Sequence, residues 1–253
     1  MYLFDYSELI KNLVISDLKI KYQSSILGFI WSMLNPLLMM LILYAVFSNV
    51  FRFEQEHFAL YLLIGIIAWR FLQNGTMVAM SSIVGKANLV TKVYIPREIL
   101  PFSMTMSAFI SSILEFLVLI PLLIIFGAKV SATILLFPIL HTIFFVMVYG
   151  ISLILSSLYV YFRDLNQIWD LLLQIGFYAS PIIYPLSLVP EKYVEYYMLN
   201  PITRLMVMYR DILLYHTIPS ISDFLLVTGF ALTLMIVGSG IFNKLSRKFA
   251  EEV

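Results

Sequence analysis

The stretch FALYLLIGIIAWRFLQNGTMVAM, residues 58–80, carries a single charged side chain, Arg70, in an otherwise apolar run. A helix needs about 20 such residues to cross a hydrocarbon core about 30 Å thick. The run is continuous rather than alternating, which excludes the strands of a membrane barrel. Lipid leaves the backbone no other way to satisfy its hydrogen bonds than a helix or a closed barrel. Five further stretches read the same way: 27–50, 99–126, 132–160, 168–184 and 222–243. Hydrophobic residues make up 61% of the 253-residue chain and charged residues 12%, against about 25% charge in an ordinary soluble domain. No water-soluble fold of this size could hide so much apolar surface. The expected fold class is therefore an all-α integral membrane protein with six transmembrane helices. The fifth span is short, and Gly176, Pro181 and Pro185 predict that its outer end is broken.

The formal net charge is +1. That balance carries no argument for nucleic acid, and none is expected as a partner. The distribution of cations does give an orientation. With both termini cytoplasmic, the inner side holds ten: Lys11, Lys19, Lys21, Lys86, Lys92, Arg97, Arg163, Lys244, Arg247 and Lys248. The outer side holds five: Arg52, Lys129, Lys192, Arg204 and Arg210. The positive-inside rule favours this arrangement. The chain has no cysteine, so compartment cannot be argued from redox chemistry. Asp5, Glu8, Lys11, Asp17 and Lys19 leave the first 20 residues without the apolar core of a signal peptide.

Between the spans, several segments predict structure. In residues 4–22, Leu9, Ile10, Leu13, Val14 and Leu18 recur at helical spacing, with Lys11, Asn12, Ser16 and Lys19 opposite. This pattern predicts an amphipathic helix lying in the membrane interface. Tyr22, Gly28 and Trp31 mark the entry to the first span, and Pro36 after Asn35 predicts a kink a turn further in. Residues 86–94 could make two helical turns, stopped by Pro96, with Pro101 restarting the chain into the third span. Such a helix offers a handle to another protein; a plain basic turn is the alternative. Arg163 in the turn YFRDLNQ, residues 161–167, suits a headgroup anchor, and Asp164 with Gln167 resembles a capping box. The outer segment 185–221 is too apolar for a free loop and too short to span. It predicts two short outer helices between spans five and six, re-entrant or lying on the outer face, one through Tyr193, Tyr196 and Tyr197, the other capped by Asn200 and opened by Pro201.

Some chemistry is missing. Gly85-Lys86 lacks the earlier glycine and the hydroxyl residue of a phosphate-binding loop. His57, His141 and His216 stand far apart in sequence, without metal-ligand spacing, and no G-x-S-x-G elbow occurs. An enzyme, such as a membrane transferase, is disfavoured. Two charges, however, lie deep in the bilayer. Arg70 follows the start of its span by 12 residues, from 58 to 70, and Glu115 precedes the end of its own by 11, from 115 to 126. At 1.5 Å per residue both sit about 16–18 Å from the outer boundary. Unpaired, each would cost a few kcal/mol or more. They predict an ion pair, a water-filled path, or both. Trp31, Tyr44, Trp69, Trp169 and Tyr178 are amphipathic rings within spans; such rings suit a conduit for sugars, although interface anchoring is the more frequent role.

The strings KIKYQSSILGFIWSMLNPLLMM (19–40), AWRFLQNG (68–75), GKANLVTKVYIPREILP (85–101), YFRDLNQIWDLLLQIGFYASPIIYP (161–185) and LNPITRLM (199–206) resemble the permease subunit of ABC-2 type exporters. The likeness is closest to the polysaccharide branch, which exports O-antigen, capsular polysaccharide or teichoic acid. It covers nearly the whole chain in the right order; LVTKVYIPREILP and YFRDL are its most specific pieces. It implies one transmembrane domain, 1–253, with an interface helix at 1–24, a coupling region at 81–98 and outer gate helices at 185–221. The family's coupling helix maps onto Asn88, Leu89, Val90, Lys92, Val93, Tyr94, Ile95, Pro96, Arg97 and Glu98. This chain departs from the family's pattern at Ala68, where a proline is common, and at Arg70, where an aromatic is more usual.

The resemblance implies a half-transporter: a homodimer of this chain with two separate ATPase subunits, in the cytoplasmic (inner) membrane, both termini cytoplasmic. It implies no cofactor in this chain, with ATP and magnesium in the partner. Its cargo would be a lipid-linked, O-antigen-like polysaccharide, with membrane lipid around it. Trp31, Tyr44, Trp69, Arg70, Glu115 and Tyr178 are the expected channel lining. Tyr193, Tyr196, Tyr197, Asn200 and Pro201 are the expected outer gate, and Arg163 and Asp164 the interface turn. An ABC-2 permease for small hydrophobic drugs, and a scramblase or structural subunit without a motor, are the rival readings.

Overall fold

Prolines and small residues punctuate the helices. The computed structural model describes residues 4–23, 29–50, 55–129 and 131–252. The expected start of the first span at 27–28, with Gly28, and the outer cation Arg52 lie outside them. The helices are α1 (Ser7–Gln23), α2 (Phe29–Ala45), α3 (Phe58–Gly85), α4 (Ala87–Lys92), α5 (Ile99–Ile125), α6 (Phe137–Tyr159), α7 (Leu165–Ala179), α8 (Glu191–Leu199), α9 (Pro201–Arg210), α10 (Ile221–Leu245) and α11 (Phe249–Glu252). Strands are absent among the described residues. Among those same residues, five helical segments are long and apolar enough to cross a membrane: Ile30–Asn49, Phe58–Gly85, Ile99–Ile125, Ala132–Tyr159 and Ile221–Lys248.

The expected fifth span, 168–184, is the exception. Its helix α7 is 15 residues long, short of the 20 or so needed to cross. Ser180 precedes Pro181, whose ring disfavours helical backbone in the residue before it, and Ser180 is extended at ψ 150. The chain then continues beside α3 through turns and a single 3-10 turn at Leu186–Leu188. Trp169 donates to Thr76 at 2.9 Å, Gly176 lies against the Trp69 ring, and the Pro181 and Tyr184 carbonyls sit within hydrogen-bond distance of the Tyr61 hydroxyl. Helix and strap together run antiparallel to α3, from Thr76 back to Tyr61.

Helix α3 is the hub, in contact with α2, α5, α6, α7 and α9. Nearly every side chain from Phe58 to Leu72 is buried, so its apolar run reads as all-round hydrophobic rather than amphipathic. Helices α6 and α10 meet backbone to backbone. A Cβ added at Gly238 would lie 2.4 Å from the Gly150 carbonyl oxygen, and one at Gly150 would lie 2.7 Å from the Leu234 carbonyl carbon. Between spanning helices, where lipid competes with apolar side chains, close approach at small residues supplies the packing.

Helix α1 docks on α5, with Val14 buried and Lys11, Asn12, Ser16 and Lys19 outward as the spacing predicts. Tyr22 donates to Ser111 at 3.1 Å. At that end Ile83, Val90, Leu100, Val160, Phe242 and Phe249 close a second core. Burying Phe249 is worth about 2 kcal/mol and holds α11 against α4. The capping box at Asp164 does not form. Asp164 is itself helical (φ −75, ψ −11) and its side chain makes no cap hydrogen bond. The donor a capping box would use, the Gln167 N–H, goes instead to the Asp164 carbonyl at 3.0 Å, and the Leu165 N–H goes to the Phe162 carbonyl.

Substituting Gly238→Val should destabilise the bundle by about 3 kcal/mol, the upper range for overpacking, because the obstacle is backbone and cannot rotate away. Gly229→Ala and Gly240→Ala, where an added Cβ meets nothing within 4 Å, should instead stabilise by up to about 1 kcal/mol, since the helix gains alanine's propensity without a clash. Thermal unfolding in detergent separates the two outcomes.

Candidate functional site

Arg70 and Glu115 meet. Arg70 Nε lies 3.5 Å from Glu115 Oε2 across the α3–α5 contact. Arg70 Nη1 donates to Asn35 Oδ1 at 3.0 Å, which adds α2. The carboxylate is 3% exposed and the arginine side chain 23%. The acid therefore stands inside the wall and the base at its surface.

In front of Arg70 opens a cavity of about 250 Å³, lined also by Asn35, Trp69, Gln73, Gln174 and Tyr178. Trp69 is mostly buried, with Gly176 against its ring; a Cβ at Gly176 would come 2.9 Å from the indole. Phe177 meets Trp69 edge-on at 5.9 Å. Tyr178 is exposed, and Gln174 is held by Asp170 at 2.9 Å. Of the expected lining residues, then, Trp69, Arg70 and Tyr178 share one cavity, and Glu115 backs it. Trp31 and Tyr44 lie on the exposed side of α2, Tyr44 tilted against Phe58 at 6.5 Å. The amides Asn35, Gln73 and Gln174 have no motif to announce them.

At the end of the bundle that carries α8 and α9, Arg210 departs from its expected place. It is a buried residue rather than a loop cation, 2% exposed. Its Nη1 donates to the Tyr61 hydroxyl at 2.7 Å and the Pro181 carbonyl at 2.6 Å, and Nη2 donates to the Ile182 carbonyl at 3.0 Å. The guanidinium stacks 3.4 Å over the Tyr61 ring centre, a cation–π contact that desolvation strengthens. Gly65 makes the room, since a Cβ there would lie 2.7 Å from Nη2. Arg210 thus ties α9 to α3 and to the strap after α7. Asn200 caps α9 as expected, accepting from Ile202 N–H at 3.0 Å, with Pro201 at the first helical position. Tyr193 and Tyr196 are exposed on α8, and Tyr197 meets Tyr184 at 3.2 Å. A further buried chain runs from Ser112 through His141 to Tyr209, at 2.8 and 2.6 Å.

At the opposite end a groove of about 830 Å³ lies between residues 90–98, Tyr6 and the end of α10. Lys92, Ile95, Pro96, Arg97 and Glu98 line it; Asn88 is exposed on α4 and Leu89 packs on the second core. Tyr94 stands fully exposed. Arg97 donates to the Ser246 carbonyl and so ties this region to α10. Lys86 makes the α3–α4 joint; burial pushes its ammonium below the usual lysine range, and nearby Asp17 opposes this. Arg163 lies 5.6 Å from the Tyr159 ring centre in the exposed turn beside Asp164.

A match to the ABC-2 type transporter family covers residues 8–214. The chain is 33% identical over 252 residues to an O-antigen export system permease protein RfbA of Klebsiella pneumoniae, covering 99% of this chain and 95% of that one. It is 30% identical over 257 residues to an O-antigen export system permease protein RfbA of Myxococcus xanthus, covering 99% and 97%.

Arg70→Met alone should cost about 3 kcal/mol, since it strands a buried acid. Arg70→Met with Glu115→Leu should recover most of that loss, as read by unfolding in detergent. Arg210→Leu should cost about 2 kcal/mol through its orphaned carbonyls and expose the strap at 180–190 to limited proteolysis.

Proposed function

The chain belongs to the ABC-2 type transporter family, and on that premise we propose that it is the permease subunit of an ATP-driven exporter of lipid-linked, O-antigen-like polysaccharide. The observation that carries the reading is end-to-end similarity to O-antigen export permeases from two organisms. The membrane-depth cavity supports it, because aromatic rings beside amides suit sugars, with their apolar faces and hydroxyl rims.

The whole chain acts as one transmembrane domain of a multi-pass protein in the inner membrane, with both termini cytoplasmic. ATP and magnesium belong to a separate ATPase, two copies of which serve two copies of this chain. Helix α2 leaves Trp31, Leu38, Leu41, Ile42 and Tyr44 exposed, and α7 leaves Leu171, Ile175 and Tyr178 exposed. In the homodimer these faces border the shared path, with Arg70 and Glu115 beside it.

The ATPase seats in the groove at residues 90–98, with Tyr94 as its aromatic anchor. Its closure pushes on α4, and rigid helices carry the displacement onward. Two connections transmit it: the Lys86 joint to α3 and the Arg97 tie to α10. Helices α8 and α9, with Tyr193, Tyr196 and Tyr197, shape the outer exit.

Tyr94→Ala combined with Lys92→Ala should cut co-purification of the ATPase by about tenfold or more, as loss of an interface anchor does. Export should fall with it, while insertion of the chain into the membrane is unchanged. Undiminished export and co-purification in this variant count against the docking assignment.

A further inference from the structure

Arg70 is placed differently from an arginine that only neutralises a buried acid. Glu115 is 3% exposed behind it, whereas Arg70 is 23% exposed. Nε is buried and faces the acid; Nη1 is held by Asn35. Nη2 is neither buried nor hydrogen-bonded to any described residue, and Nη1 keeps a second hydrogen. Nη2 is therefore left with donors to spare, in a planar group suited to the oxygens of a carboxylate or a phosphate. Arg70 lines the cavity of about 250 Å³.

Taking polysaccharide export as the premise on which it rests, we propose that this cavity is an anion-recognition subsite, in which Arg70 binds a carboxylate or phosphate oxyanion of the passing polymer. Glu115 and Asn35 hold the guanidinium in place before the ligand arrives, so little side-chain freedom is lost on binding. Glu115 also balances the charge of the empty site, which a lone arginine at this depth would leave uncompensated. Low surrounding dielectric strengthens the contact relative to one in water. The amides of Gln73 and Gln174 stand beside it on the cavity wall for the hydroxyls of the adjoining sugar. The volume is below the range of about 300–1,000 Å³ usual for small-molecule pockets, so the subsite takes one charged group and its immediate neighbour. That group has two sources: a uronic acid within the glycan, or the phosphate that links a glycan to its lipid.

The test uses the full chain in lipid nanodiscs, with thermophoresis, or tryptophan fluorescence in a Trp31→Phe, Trp169→Phe background that leaves Trp69, as the readout. The probes are galacturonate, farnesyl diphosphate and methyl galactoside. Galacturonate or farnesyl diphosphate, or both, should bind wild type and bind Arg70→Gln about tenfold or more weakly, the effect of losing charge-assisted hydrogen bonds. Arg70→Lys should retain part of that binding, and methyl galactoside should not discriminate among the variants. Whichever anion responds identifies the source. Should Arg70→Gln fail to fold, Arg70→Gln with Glu115→Gln removes both charges and serves in its place. Equal affinity of wild type and variant for both anions, or no binding of either, overturns the subsite. Export itself is scored separately, by complementation of a strain lacking the chain. Failure of the binding test with complementation intact leaves the export reading standing, and failure of wild-type complementation removes that reading whatever the probes do.

Discussion

A charge at mid-membrane depth has to be met by another or by water, and the Arg70–Glu115 contact meets that demand between α3 and α5. Asn35 extends it to α2. Helices α2, α3 and α5 are thus held at a common depth by one polar cluster, and two of them, α2 and α3, frame the cavity. The asymmetry of the pair matters as much as its existence. A carboxylate sealed in the wall and a guanidinium at its surface make a structural contact that also presents chemistry.

The end that carries α8 and α9 uses a different solution. Arg210 makes no salt bridge among the described residues; its guanidinium is met by two carbonyls, a hydroxyl and the face of Tyr61. Those carbonyls belong to the stretch where Pro181 ends α7, so the arginine satisfies backbone groups that a proline has removed from a helix. The break in α7 and the buried cation explain each other. The arrangement also fixes the strap beside α3, which lets a helix of 15 residues take part in a bundle of much longer ones.

Glycines carry the close contacts. Gly150 and Gly238 bring α6 and α10 together, Gly65 admits Arg210, and Gly176 admits the Trp69 ring. Each lies in a helix, where glycine costs about 1 kcal/mol relative to alanine. The contact it permits offsets that cost, because in lipid the packing of helix on helix depends on how closely backbones approach.

Much of the molecule was legible in its residues. The apolar runs, α1 with its polar face, the cap at Asn200 and Pro201, and the matching depth of Arg70 and Glu115 all follow from local pattern and from counting residues along a helix. These are properties of one element or of its length against the bilayer, and no neighbour is needed to read them. What only the tertiary structure decided depends on which elements touch. Arg210 reads as a loop cation until the α7 strap and Tyr61 surround it. Asn35, Gln73 and Gln174 become a rim only when α2, α3 and α7 converge, and Trp31 and Tyr44 fall outside it because they lie a turn or more along α2 from Asn35. Asp164 carries the letters of a cap, yet the backbone closes its turn first. Helical spacing determines what a residue's own segment can offer; the partner that accepts the offer comes from distant parts of the chain, and only the packed bundle brings the two within hydrogen-bond reach.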